Sequence, residues 1–123
     1  MQKEIVEQFV HAYNAFDVDG MLRNMDPDVV FENSQGGVVT MRLEGVDAFR
    51  AQAEQVKDFF SEREQVVEAW EFTGDSVRIE VAYMATLARS IPDGPQAGET
   101  LRLRGVSTFV LKDNKITYLK DES

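Results

Sequence analysis

The sequence predicts an α+β domain: a curved, cone-shaped antiparallel β-sheet with helices packed on its concave face around a pocket. Three observations predict it. Two stretches, residues 5–16 and 46–60, carry apolar side chains at helical spacing. The rest of the chain is mostly β-rich runs joined by compact turns, which gives sheet rather than more helix. One face of the last hairpin, Leu101 to Asp121, bears a hydroxyl, an aromatic ring and a carboxylate at Ser107, Phe109 and Asp121. A plain core would be apolar there, so this face points to a lined cavity.

The 123 residues are the size of one domain, and residues 1–123 are read as a single unit. A hydrophobic fraction of 43% and a charged fraction of 28% are those of a globular protein, and no apolar run is long enough to cross a bilayer. The N-terminus shows no basic leader followed by an apolar block, so a cytoplasmic location is expected. With no cysteine there is no disulfide, thiolate nucleophile or zinc-thiolate site. The net charge of −9 opposes nucleic-acid binding, which needs clustered Lys and Arg.

In chain order, Ile5, Phe9, Tyr13 and Phe16, joined by Val6 and Val10, form the stripe of a first helix. His11, the only histidine, lies nearly opposite and is expected in solvent, a poor place for a catalytic base. Asp17 or Asp19 can cap a short second helix through Met21, Leu22 and Met25. Asp17-Val18-Asp19-Gly20 is not a calcium loop, because its twelfth position falls on Asp26 where a bidentate Glu is needed. Asp26-Pro27-Asp28 ends that helix. Val29 to Asn33 then reads as a strand with Val29, Phe31 and Asn33 on one face. Asn33 serves either a turn through Ser34-Gln35-Gly36-Gly37 or a bound ligand.

Val38 to Leu43 forms a second strand, and Gly45 opens the long helix striped by Val46, Phe49, Ala53, Val56 and Phe60. Arg63 to Phe72 and Val77 to Ala88 pair about the turn Thr73-Gly74-Asp75-Ser76. Val77, Ile79, Val81 and Tyr83 face the core, while the side taken by Trp70 depends on whether a bulge shifts the register. Ser90 to Glu99 is a connecting loop that either shields a pocket mouth or is ordinary surface. The closing hairpin turns at residues 112–115, and Asp121 shares its parity with Thr117 and Leu119.

Several of these segments resemble a known family. Asn14-Ala15-Phe16-Asp17-Val18-Asp19-Gly20-Met21 resembles the first-helix signature of the nuclear transport factor 2-like superfamily. Leu43 to Phe49, Thr73 to Val77, Arg104-Gly105-Val106 and Lys115 to Asp121 are similar to its SnoaL-like polyketide cyclase branch. The resemblance implies a cystatin-like, ketosteroid isomerase-like roll with an internal cavity. It does not by itself imply a reaction, since members isomerise, cyclise, dehydrate, hydrolyse or only bind.

Carried over by position, the isomerase's oxyanion-hole tyrosine falls on Phe9, its base on Asn33 and its protonated aspartate on Ser107, so that site is absent. Of the epoxide hydrolase's Asp-Arg-Asp triad only the final aspartate is matched, at Asp121, with Val81 and Tyr83 at the other two positions. The cyclases' single acid/base aspartate is also matched by Asp121.

The resemblance therefore implies a cofactor-independent and metal-free protein holding a small hydrophobic carbonyl compound. Phe9, Tyr13, Phe31, Tyr83 and Phe109 would line the pocket, Asn33 and Ser107 would orient the ligand, and Asp121 would move the proton. The alternative is a binding or dimerisation module without chemistry, with Asp121 in water near the chain end. In either case Arg78, Glu80, Arg102, Arg104, Val106 and Thr108 form an outer sheet face expected to pair in a homodimer.

Overall fold

The computed structural model describes residues 1–123 and has the expected architecture, with three helices on one side of a six-stranded, unclosed sheet. Helix α1 (Gln2–Asn14) buries Ile5, Val6, Phe9, Val10 and Ala12. It stops before Phe16, whose φ of 57° belongs to the turn. Helix α2 (Val18–Leu22) is capped by Asp17, whose Oδ1 accepts from the Gly20 N–H at 2.9 Å. His11 is exposed, as its place on α1 predicts.

Strand β1 (Met25–Gln35) starts earlier than the Asp26-Pro27-Asp28 break suggested. Pro27 is tolerated because pairing with β2 begins only at Val30, and the register against β6 shifts between Met25 and Val30. The missing N–H therefore removes no ladder bond. Strand β2 (Val38–Glu44) follows a turn at Gly36 and Gly37, both at positive φ. Helix α3 (Val46–Lys57) ends before Phe60, which opens β3 (Phe60–Thr73) instead of extending the helical stripe.

Strands β4 (Ser76–Leu87), β5 (Thr100–Lys112) and β6 (Lys115–Glu122) complete the sheet in the order β2-β1-β6-β5-β4-β3. Four ladders are antiparallel as expected, but β1 and β6, neighbours within the sheet, run parallel. The β5–β6 turn places Asp113 and Asn114 at φ 52° and 61°, the paired left-handed conformation that suits a twisted two-residue hairpin.

Two bulges decide which way side chains point. Between Val67 and Ala69 the β3 register slips by one residue, so Val67 faces Val81 while Trp70 faces Ile79 and Phe72 faces Val77. Trp70 thus lies on the core side, stacked on Phe72 with ring centroids 5.8 Å apart. Between Val110 and Leu111 a second slip pairs Leu111 with Ile116. Ile116 is fully buried, while the Thr117 hydroxyl donates to the Val110 carbonyl at 3.2 Å, so Thr117 does not share the pocket face with Asp121. Beneath the helices lies one core, centred on Val6, Ile79, Phe109 and Leu119.

Candidate functional site

The sheet register builds one wall of the cavity. Asn33 on β1 is paired with Asp121 on β6, Asp121 with Ser107 on β5, and Ser107 with Ile79 on β4. Directly paired residues point to the same face, so the three polar side chains form a row across three strands on the concave side. Asp121 is half-buried, held inside the last ladder rather than frayed into water.

The Ser107 hydroxyl donates to Asp121 Oδ1 at 2.7 Å. Burial penalises the charged form and pushes the Asp121 carboxyl up to about 6, while the Ser107 hydrogen bond pulls the other way and only partly offsets it. A carboxyl poised there is mostly ionised at neutral pH yet easily protonated.

Two cavities meet at this wall. The larger, about 460 Å³, runs under α1 and α3 between Phe9, Phe31, Phe49 and Phe60; the smaller, about 200 Å³, opens at the β5–β6 end beside Gly105, Val106 and Ser107. Both are lined by Tyr13, Asn33, Gln65, Tyr83 and Asp121. The larger volume is that of a small organic molecule.

Opposite the carboxyl stands a tyrosine pair. Tyr13 donates its hydroxyl to the Tyr83 oxygen at 3.1 Å, which leaves the Tyr83 hydrogen free to donate to a ligand. Burial first, and then Tyr83 and Asp121, hold Tyr13 far above the ordinary phenol range against the opposing pull of Arg63. Tyr13 therefore stays a neutral donor.

The remaining expected residues divide. Phe9 and Phe31 line the larger cavity, each packed on Phe49 at centroid distances of 6.5 and 5.3 Å. Asn33 lines both cavities, although its Nδ2 donates to Thr40 Oγ1 at 3.1 Å, so it serves the neighbouring hairpin as well. Ser107 lines only the smaller cavity. Phe109 lines neither: it is 1% exposed and supports Phe9 from beneath, edge to face at 5.4 Å, as core rather than wall.

Sequence reasoning passes over Gln65, Met41, Gln52 and above all Arg63, which also lines the larger cavity. The signal that could have found it is parity: Arg63 and Gln65 share the face of Val67, which packs on the core. No group of three His, Cys, Asp or Glu side chains converges as a metal site. No helix is long and apolar enough to cross a membrane.

Comparison with known proteins agrees with this architecture. A candidate polyketide cyclase from Xanthomonas campestris is 25% identical, over 98% of this chain and 88% of that one, with a TM-score of 0.79. A candidate polyketide cyclase from a Silicibacter species is 22% identical over 97% and 85%, with a TM-score of 0.81. TerC, crystallised with polyporic acid, is 20% identical over 97% and 88%, with a TM-score of 0.78. No curated protein is detectably similar in sequence. The profile of the SnoaL-like domain matches residues 6–119. Because that match spans most of the chain, the protein belongs to the SnoaL-like domain family.

Proposed function

We propose that the protein is a cofactor-independent enzyme of the isomerase, cyclase or lyase type, which moves a proton on a compact hydrophobic carbonyl compound held in the larger cavity. The observation that carries this reading is the Asp121 carboxyl, which sits where both cavities meet and is pushed up to about 6 by burial. The family match ends at residue 119, so the case for Asp121 rests on geometry.

In the forward step the carboxylate takes a proton from the carbon next to the carbonyl. The C–H electron pair becomes the enolate double bond, and the negative charge moves to the carbonyl oxygen. Tyr83, with its own hydroxyl hydrogen uncommitted and Tyr13 donating to it, is placed to donate to that oxygen. The proton then returns from Asp121 to another carbon, or the enolate carbon attacks a second carbonyl, closing a ring as that C=O π pair moves to its oxygen, and the resulting alkoxide takes the proton back from Asp121.

The test uses 2-tetralone, a compact ketone with exchangeable α-hydrogens, in heavy water followed by NMR. Wild type is expected to accelerate exchange, and Asp121→Asn to lose about 10²-fold or more of that acceleration, the scale of a positioned general base. Full activity in the Asn variant rejects the role of Asp121. The second reading, a binding module without chemistry, draws on Phe9 and Asn33 standing where the isomerase needs a tyrosine and a base, with Asn33 also tied to Thr40. That reading gains if 2-tetralone binds wild type without any acceleration of exchange.

A further inference from the structure

Arg63 is only 6% exposed, yet no Asp or Glu pairs with it, whereas the ion pairs of the protein all lie at the surface. Its neighbours are the Tyr13 ring, 3.8 Å from the guanidinium carbon, the Phe16 ring at 4.5 Å, and the Tyr13 carbonyl, which accepts from Nε at 3.0 Å. These contacts fix the plane of the guanidinium and satisfy the end of α1, but they use one of its five N–H donors.

The two terminal amino groups make no hydrogen bond within the protein, and no sealed side-chain nitrogen lacks a partner. They therefore remain open, and the space that Arg63 lines is the larger cavity. A fixed, permanently charged fork in an apolar chamber, with no anion of the protein beside it, is half of an ion pair.

We propose that Arg63 is an anion-binding residue of the cavity, and that the ligand is a compact apolar molecule carrying a carboxylate. This rests on the proposed function and deepens it by naming its substrate class, an apolar oxo-acid. The ligand's carboxylate end docks on Arg63, its body packs among Phe9, Phe31 and Phe49, and its carbonyl end reaches Asp121 and Tyr83. The orientation follows from charge, since a carboxylate is attracted by the guanidinium and repelled by ionised Asp121. A purely structural role, stacking Arg63 on Tyr13 and Phe16, gives no preference for an anionic ligand.

The test compares 2-naphthoate with 2-naphthamide, which has nearly the same shape and no charge, by titration calorimetry. Wild type is expected to bind the carboxylate at least about tenfold more tightly, as a bidentate charge-assisted pair requires. Arg63→Met keeps the aliphatic stem and is expected to abolish that preference while retaining affinity for the amide; Asp121→Asn is expected to keep the preference even where proton exchange is lost.

Because Arg63→Met removes the stacking cation and with it a support of the fold, the unmutated protein supplies a second readout. The Arg63 Nε–H resonance should shift on adding naphthoate and stay in place on adding naphthamide. Equal affinity for the two probes, a preference surviving in Arg63→Met, or a preference without the resonance shift each overturns the anion site and leaves the cavity standing. Binding of neither probe overturns both.

Discussion

Asp121 shows how one side chain couples function to stability. Its carboxyl ordinarily titrates near 3.8 and is pushed up to about 6 in the fold. Below the lower value both the native and the unfolded chain hold the proton, and the group has no net effect. Between the two values the unfolded chain has released a proton that the native state keeps. Stability therefore falls as pH rises through this window and stays lower above about 6. Asparagine cannot titrate there. The stability of Asp121→Asn relative to wild type is expected to improve by roughly 2 kcal/mol between pH 4 and pH 7.5, because each tenfold difference in proton affinity between the native and unfolded chains is worth about 1.4 kcal/mol. Urea unfolding of both proteins across that range measures the difference, and a flat difference would mean that the carboxyl titrates as it does in water. The same proton-holding site that costs stability at neutral pH is what a general base needs.

At the scale of elements, the turn between α1 and α2 carries a testable crowding. Alanine normally stabilises a helix over glycine by about 1 kcal/mol. At Gly20 an added Cβ would lie 2.5 Å from Asp17 Oδ2 and 2.9 Å from the Ala12 Cβ, so it would displace the carboxylate that caps α2. Gly20→Ala is expected to destabilise by about 1–2 kcal/mol, the size of a lost cap plus crowding, and to cost less in an Asp17→Ala background. A double-mutant cycle by chemical denaturation reads this coupling; an additive result would disprove it. Such local features are largely legible in the sequence. The apolar stripes of α1 and α3, an aspartate cap at Asp17 or Asp19 and the three short hairpin turns follow from spacing and turn chemistry. One-residue events and distant partners are not legible in the same way. The slip at Val67 and Ala69 reverses parity along β3 and sets where Trp70 points, and the slip at Val110 and Leu111 removes Thr117 from the face of Asp121. Arg63 escapes notice because a charged residue in an alternating strand reads as solvent-facing, and only α1, crossing above it, encloses it.

For the whole molecule, the two faces of the sheet divide the work. The concave face is covered by helices, while on the convex face Arg78 pairs across from Thr108 and Glu80 from Val106, with Arg102 and Arg104 beside Met84 and Ala82. Val66 on the same surface is 50% exposed, an apolar side chain that a monomer gains nothing by presenting to water. The expected homodimer would bury this surface by a twofold operation, so that Arg102 of each copy faces the acidic Glu64 and Glu80 of the other, while Arg104 keeps Glu68 of its own chain as partner. Such pairing offsets the mutual repulsion of two chains that each carry a net charge of −9. Val106 lies among these side chains, half-buried and next to Glu80, so a lysine there suits the monomer but inserts a charge into the dimer centre. Sedimentation equilibrium at micromolar concentration is expected to give a dimer for wild type and a monomer for Val106→Lys, with the variant's circular dichroism unchanged. A monomeric wild type would remove the outer face from the assembly and leave the cavity chemistry untouched, because Asp121, Tyr83 and Arg63 all lie on the other side of the sheet.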